Sequence, residues 1–439
     1  MSEARDTQVI AESRRVSERL ARLGWYHSIE LPDGSVIEGL QSVERLRRRI
    51  GQFPVPADLT GKRVLDIGAW DGWFSFEMEK RGAQVLAVDS TRNTRLLEAR
   101  KLLGSRIDYH IGDICRLTSK DIGTFDIVLF FGVLYHLKHP LLALENVCGM
   151  CRDMACIESF VTDADLNAIP SMEFYETTEL RGQLDNRVSP NVACLMAMSR
   201  TAGFARVDFQ STLAERAHVT GYRQWPAAAS GGPAPVILCV ANSTTHDHTF
   251  SAWADDYVTF YFTAAETDLT CDNVYPRIGP YGSRPMYVAN TGGGWQATCK
   301  IPPGLEAGWH DATLRVADSG PSGPLRIGVD IPPERRTDWT VQADADFHLA
   351  SIADGRTFES GRVRVGTDTA ITAWAQGLRD FGGIRIRLNG TDLPAIWHDP
   401  STGQINAVLP AGLEPGRGRV SLVSGDRETQ PLEIELYRS

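Results

Sequence analysis

Gly61-Lys-Arg-Val-Leu-Asp-Ile-Gly-Ala-Trp-Asp-Gly-Trp-Phe-Ser75, followed by Val85-Leu-Ala-Val-Asp89, is the stretch on which the fold turns. It reads as a buried strand, a glycine-marked turn, a helix, a second buried strand and a terminal acid. A strand with apolar residues on both faces (Val64, Leu65, Ile67) belongs inside a parallel sheet. Gly68 and Gly72 allow a sharp turn and a close backbone approach to a ligand. Asp89, about 20 residues on, is placed to accept hydrogen bonds from a ribose diol.

A dinucleotide site would carry Gly-x-Gly-x-x-Gly around a pyrophosphate. Here the run is Asp66-x-Gly68-x-x-x-Gly72, with Trp70 and Trp73 in or beside it, and no phosphate cradle is evident. Asp66, at the strand end, could accept from an ammonium group or orient the loop. This suits an adenosine ligand that carries an amino acid. The run resembles the first motif of class I methyltransferases, which implies S-adenosylmethionine as cofactor.

Tyr109 to Ile114 then reads as a third strand, with Asp113 where such enzymes place an acid near the adenine amino group. Phe125 to Leu137 reads as a fourth strand running into a loop, since Ile127 to Phe131 is continuously apolar. Pro140 opens a helix to about Gly149. Met154 to Ser159 reads as the fifth strand, and Ser189 to Gly203 as a helix. Ala205–Gln210 and Val236–Ala241 supply two last strands, with Ser211–Pro235 as the loop between them.

The pieces Val64-Leu-Asp-Ile-Gly68, Phe131-Gly-Val-Leu-Tyr-His136 with Pro140-Leu141, Ser189-Pro190 and Ala202-Gly-Phe204 carry a closer resemblance. Over about residues 20–242 the chain resembles the bacterial tRNA wobble-uridine carboxymethyltransferase-like family. Those enzymes hold an extra carboxylate on the cofactor. The resemblance implies an upstream lysine in an Arg-Lys-Gly-Pro-like segment and an arginine just before the last apolar strand. Here those regions are Gly24 to Gly34, with Trp25, Tyr26 and His27, and Gly232-Pro-Ala-Pro-Val-Ile-Leu238. A buried carboxylate without a cation is costly. The expectation is ordinary methyl transfer.

The chain has 439 residues, enough for two or three domains. It has no apolar run of about 18 residues, and its opening residues lack an apolar signal core. A cytoplasmic enzyme without membrane association is expected. Net charge is −10 overall, −2 over residues 1–243 and −8 beyond. A nucleic-acid enzyme shows a basic footprint, so the balance disfavours a tRNA partner. Arg45-Leu-Arg-Arg-Arg49 reads as the solvated face of an amphipathic helix. Cys148-x-x-Cys151 with Cys156 reads as buried structural thiols, because no second such pair or paired histidines complete a zinc site. In a reducing cytosol Cys271 and Cys299 stay unpaired.

After Asn242 short alternating strands and Gly/Pro turns take over. Ile301-Pro-Pro-Gly-Leu-Glu-Ala-Gly308 repeats as Leu409-Pro-Ala-Gly-Leu-Glu-Pro-Gly416, an offset of 108 residues. Units of this size suggest tandem immunoglobulin-like sandwiches. The expected architecture is a helical cap (1–49, with a helix over 8–23), an α/β Rossmann-like class I methyltransferase domain (50–243) and two all-β immunoglobulin-like sandwiches (244–333 and 338–439). Ile331–Arg336 would link the two. Trp295, Trp309, Trp339, Trp374 and Trp397 fit sandwich cores better than a glycan surface. The tail could form a homo-oligomer.

The expected cofactor contacts are Asp66, Gly68, Ala69, Trp70, Gly72, Asp89, Ser90, Asp113, Ile114, Phe131 and Gly132. The catalytic candidates are Tyr135, His136 and Glu158, at strand ends where open α/β sheets bind ligands. His136 could accept a proton from a hydroxyl or bond the loop backbone. His136-x-x-His139 lacks a third ligand, so no metal is expected. The acceptor expected is the hydroxyl of a small molecule or a glycan. Intact Asp66, Gly68, Gly72, Asp89 and Asp113 argue against a domain reduced to binding or assembly.

Overall fold

The computed structural model describes residues 24–228, 231–244, 248–252, 256–291, 294–331, 347–357, 359–367, 369–377, 383–399 and 403–438. The helix expected over 8–23, most of the expected linker Ile331–Arg336 and Trp339 lie outside them. The chain divides into two compact units, 1–224 and 225–439.

The first unit opens with β1 (Ile29–Glu30), β2 (Val36–Ile37), α1 (Val43–Ile50), β3 (Arg63–Ile67), α2 (Trp73–Lys80), β4 (Gln84–Asp89), α3 (Thr94–Leu103), β5 (Asp108–Ile111) and α4 (Ser119–Ile122). It continues with β6 (Phe125–Phe131), α5 (Pro140–Met150), β7 (Cys151–Phe160), β8 (Met172–Phe174), β9 (Val188–Pro190), α6 (Val192–Thr201), β10 (Arg206–Leu213) and β11 (Arg216–Tyr222). One seven-stranded sheet has the order β10-β11-β7-β6-β3-β4-β5. Strands β5, β4, β3, β6 and β7 run parallel, and β11 lies antiparallel between β7 and β10. Parallel strands covered on both faces read as continuous apolar runs, and Val64, Leu65, Ile67, Ile127, Val128, Leu129 and Phe130 are all buried.

Helix ends follow local chemistry. Ser42, Asn93 and Asn191 cap α1, α3 and α6 by accepting from backbone N–H groups of the first turn. Thr118 and Asp121 form a reciprocal capping box on α4. By contrast, α2 starts at Gly72 in a left-handed conformation with no side-chain cap.

The last two strands of the sheet differ from the sequence expectation. Ser211–Pro235 is not a single loop: β10 extends to Leu213 and turns straight back into β11. The turn residues Ala214 and Glu215 both have positive φ, 49° and 64°. Such a hairpin turn normally shows Gly or Asn, so the sequence carries no turn signal. Val236–Asn242 instead pairs with Tyr257–Thr263 in the second unit, so the first unit ends near Gln224 rather than at residue 243.

The second unit is all-β. Its first part pairs Val236–Asn242, Tyr257–Thr263, Trp295–Lys300 and Pro285–Asn290 in one sheet, and five strands including Gly308–Val316 and Leu325–Val329 in another. Side chains from both sheets, such as Val258, Phe260, Leu314 and Ile327, share one core. In its second part the strand Thr391–Asp399 bends at a bulge beyond Ala395 and pairs first with Arg385–Leu388, then with Gln404–Val408. The repeat is visible in the backbone: Gly308 and Gly416 open equivalent long strands with φ of 148° and 150°. Trp374 is buried, whereas Trp309 is exposed. No disulfide joins the cysteines, and Cys148, Cys151 and Cys156 are buried as the composition suggested. Among the described residues no helix is long and apolar enough to cross a membrane.

A chain ending at Gln224 is expected to be monodisperse and to unfold in one transition. A chain ending at Asn242 retains the apolar strand Val236–Asn242 without its partner and is expected to self-associate. Size-exclusion chromatography of the two distinguishes this boundary from one at residue 243.

Candidate functional site

The chain leaves β3 for β4 and β5 on one side and returns to β6 on the other, so the switch point lies between β3 and β6. Open α/β sheets bind ligands there, beyond the strand carboxyl ends. The registers Phe131↔Glu158, Glu158↔His218 and His218↔Ser211 put these residues on one level across β6, β7, β11 and β10. The level below is Val88–Ile67–Phe130–Ile157. Asp89 and Gly68 each follow that level by one residue, so they continue the upper row.

Gly68 has φ of 72°, and a Cβ there would stand 2.3 Å from Val133 Cγ2. Only glycine lets this turn close over β6. The N–H groups of Gly68 and Ala69 both donate to Val88 O, at 2.8 and 3.2 Å. Ala69 is buried, while Trp70 is 45% exposed with φ of 50°. Trp70 N donates to Asp89 Oδ2 at 3.0 Å, and Ser90 N to Oδ1 at 2.8 Å. Burial raises the Asp89 pKa, and these backbone donors offset part of the rise. Each oxygen keeps acceptor capacity, which is what a ribose diol needs. At Gly72, φ 89°, a Cβ would meet the Phe76 ring at 2.8 Å.

Asp66 lies beneath the loop. Its carboxylate accepts from Ser75 Oγ at 2.6 Å, and burial pushes its pKa up to about 6. It pins α2 to the end of β3. Asp71, which sequence reasoning passed over, is fully buried. It accepts from Tyr26 N at 2.6 Å, His27 N at 3.1 Å and Arg95 Nε at 2.7 Å. It thereby ties the Trp25–His27 segment to the glycine loop. Gly112 N bonds Asp89 O at 2.9 Å, which brings the Asp113 turn to the same place. Asp113 is exposed and accepts from Cys115 N at 2.9 Å. Ile114 is buried, and its carbonyl accepts from Asn146 Nδ2 at 2.8 Å.

At the end of β6, Phe131 stacks on Phe53 with centroids 4.9 Å apart and meets the edge of Phe74 at 5.0 Å. Gly132 follows with φ of 71°. A Cβ there would lie 3.3 Å from Tyr135 Oη and 3.5 Å from Arg216 Nη1. His136 Nδ1 contacts Asp185 O at 3.2 Å. A carbonyl only accepts, so the proton sits on Nδ1. Burial lowers the His136 pKa.

Glu158 is 1% exposed. Arg49 pairs with its Oε2, and Arg216 Nη1 donates to Oε1 at 2.6 Å. Burial pushes its pKa up, but the two guanidiniums outweigh burial and leave it below the usual carboxylate range. Glu158 is therefore held as a buried anion, and the acid–base role expected of it does not fit this geometry. Arg49 corrects a second expectation. The helix over Arg45–Arg49 forms, but Arg49 turns inward, buried, over the Phe74 ring at 5.2 Å. The sequence reading found no cation near the last strand of this unit, but the structure brings one in. It is Arg216, at the head of β11, and its Nη2 donates to Tyr135 Oη at 3.1 Å. Among the described residues no group of three His, Cys, Asp or Glu side chains could hold a metal.

Residues 65–154 match the family model described as a methyltransferase domain. The tRNA U34 carboxymethyltransferase of Pseudomonas paraeruginosa is 28% identical over 178 residues, 38% of this chain and 53% of that protein. The ubiquinone biosynthesis O-methyltransferase of Xanthomonas oryzae pv. oryzae is 34% identical over 105 residues, 23% of this chain and 43% of that protein. This chain thus spans about half the length of the curated relatives it matches. The crystal structure of the N-terminal domain of EvdMO1 with S-adenosylhomocysteine bound superposes with a TM-score of 0.37 at 22% identity, covering 48% of this chain and 96% of that one. The first unit thus contains a stretch, residues 65–154, that is similar to a methyltransferase domain.

Glu158→Gln leaves two buried guanidiniums short of charge and is expected to cost about 3–5 kcal/mol, read by denaturant unfolding. His27 gives a pH signature. Its pKa is lowered to about 3, first by burial and then by Arg49. The unfolded chain binds the proton below about pH 6.5, so this contribution is complete above that pH and is lost as pH falls toward 3. Between pH 6.5 and 5 the loss is about 2 kcal/mol. Asp66 acts oppositely between about 6 and 3.8. His27→Gln should flatten the acid limb of Tm against pH, measured by calorimetry. An unchanged slope would contradict a neutral, buried imidazole.

Proposed function

We propose that the protein is a methyltransferase that moves a methyl group from S-adenosylmethionine to a hydroxyl of a small molecule or glycan. The observation that supports this most is Asp89, braced by Trp70 N and Ser90 N at the switch point beside the Gly68 turn. When bound, the cofactor supplies an activated methyl group; the protein contributes alignment, desolvation and proton handling. On this reading Asp89 holds the ribose, the turn from Gly68 to Trp70 faces the amino-acid part, and Asp113 with Ile114 frames the adenine. Phe131 and Gly132 face the transferred group. The acidic balance of the chain supports a substrate other than nucleic acid, and the absence of disulfides among its cysteines suits a cytoplasmic setting.

One observation favours a second reading, carboxymethyl transfer. Arg216 and Tyr135 stand beside Gly132, and two guanidiniums face one carboxylate there. The net positive charge could receive a carboxylate on the transferred group. The tRNA substrate of the carboxymethyltransferase relatives belongs to this second reading.

S-Adenosylhomocysteine is expected to bind with micromolar affinity in calorimetry. Asp89→Ala should weaken it at least about tenfold, or ~1.4 kcal/mol. No binding to folded wild type would remove the cofactor. Competition between S-adenosylmethionine and its carboxylated form then separates the readings: preference for the ordinary cofactor supports methyl transfer, and preference for the carboxylated one supports the second. A salt-sensitive gel shift with bulk tRNA would also favour the second.

A further inference from the structure

Buried histidines flank the Arg49–Glu158 pair, and each keeps a ring nitrogen with no partner: His218 Nε2 and His27 Nδ1. A run of aromatic contacts joins them. His27 meets Phe74 at 5.6 Å, Phe74 meets Phe131 at 5.0 Å, Phe131 stacks on Phe53 at 4.9 Å, and Phe53 meets His218 at 5.4 Å. On the reading above Phe131 faces the transferred group, which puts these contacts on the acceptor side of the site.

The protonation pattern of His218 is set by its neighbours. Its Nδ1 lies 3.1 Å from Ser211 Oγ and 3.3 Å from Ser211 O. Ser211 Oγ gives its own proton to Gln52 Oε1 at 2.7 Å. A carbonyl and a hydroxyl already used as a donor both require Nδ1 to donate. The lone pair is therefore on Nε2. Ser211 reaches His218 because a bulge at Gln210 shifts the β10 register; bulges re-aim side chains in this way beside active sites. A buried acceptor left unpaired is costly, and it stands on the same row as Phe131 and Glu158.

The geometry points to His218 Nε2 as the group that receives the proton of the acceptor hydroxyl, and to a phenol as the acceptor class. This rests on the methyltransferase reading above. As the acceptor oxygen bonds the methyl carbon, the carbon–sulfur bond breaks and its electron pair stays on sulfur. The hydroxyl proton passes to Nε2, and the imidazolium later returns it to water. Burial lowers the His218 pKa, with Glu158 opposing the shift, so the ring is a weak base. A phenol, with a pKa near 10 like tyrosine, can give up its proton to such a base far more readily than an alcohol. The aromatic cluster of Phe53, Phe74 and Phe131 beside His218 also favours a flat, apolar acceptor over a saccharide.

The test uses the full chain labelled with 15N-histidine, S-adenosylhomocysteine, and catechol as the phenol probe. His218→Asn keeps a donor where Nδ1 lies but lacks Nε2, and it also assigns the His218 signals. Expected for wild type are a neutral Nδ1–H tautomer at pH 7 and a catechol-dependent shift of the Nε2 resonance in the S-adenosylhomocysteine complex. His218→Asn should keep its S-adenosylhomocysteine affinity within about twofold and lose methyl transfer to catechol by about 10²–10⁴-fold. An Nε2–H or protonated ring, an Nε2 signal indifferent to catechol, or undiminished transfer by His218→Asn overturns the proposal alone. Transfer to saccharides but not to catechol overturns the phenol assignment and leaves the wider reading intact. Failure of the wild type to bind S-adenosylhomocysteine overturns both.

Discussion

A carboxylate taken out of water must be matched by cations and donors or it unfolds its surroundings. Glu158 is such a group, and Arg49 and Arg216 match it from α1 and β11. Three distant segments are therefore fastened at the carboxyl end of the sheet. α1 cannot lift without stranding Arg49, and β11 cannot slip its register without removing Arg216. With both fixed, Phe53, Tyr135 and His218 take their places around the end of β6. On the other side of the switch point Asp71 does a similar job. Its three donors hold the Trp25–His27 segment and α3 to the glycine loop.

The division of labour follows from this framework. Positive φ at Gly68, Trp70 and Gly132 lets the backbone turn tightly at the strand ends, close against Val133 at Gly68 and against Tyr135 at Gly132. Asp89 provides acceptors whose cost of burial the neighbouring N–H groups reduce. Two of the charges in the compartment are set by their surroundings: Glu158 is held ionised, and the His27 imidazole is held neutral. Oriented groups that need no rearrangement when charge develops are what transfer chemistry requires.

The α/β half was largely legible in the sequence because its signals are local. Continuous apolar strands, Gly68 and Gly72, and the acid at Asp89 sit within 29 residues of one another and fell where expected. What escaped depends on side chains meeting across long stretches of chain. Arg49 looks like one of four arginines on a helix; only its partner 109 residues away shows that it turns inward. β11 escaped because its turn uses Ala214 and Glu215 and its buried face includes His218 and Thr220. Missing β11 also hid Arg216, and with it the cationic neighbour of Tyr135. The repeat in the second unit was readable because it is a copied string, Leu-Glu-x-Gly before a long strand.

The central claim is that the row at the strand ends, from Asp89 through Gly68 to Phe131, is a nucleoside site. A crystal structure of the protein with S-adenosylhomocysteine tests it most directly. The account predicts the ribose diol on the Asp89 carboxylate, the adenine against Asp113 and Ile114, and the sulfur beside Phe131 and Gly132. A nucleoside bound elsewhere, with Asp89 contacting no ligand atom, would contradict it.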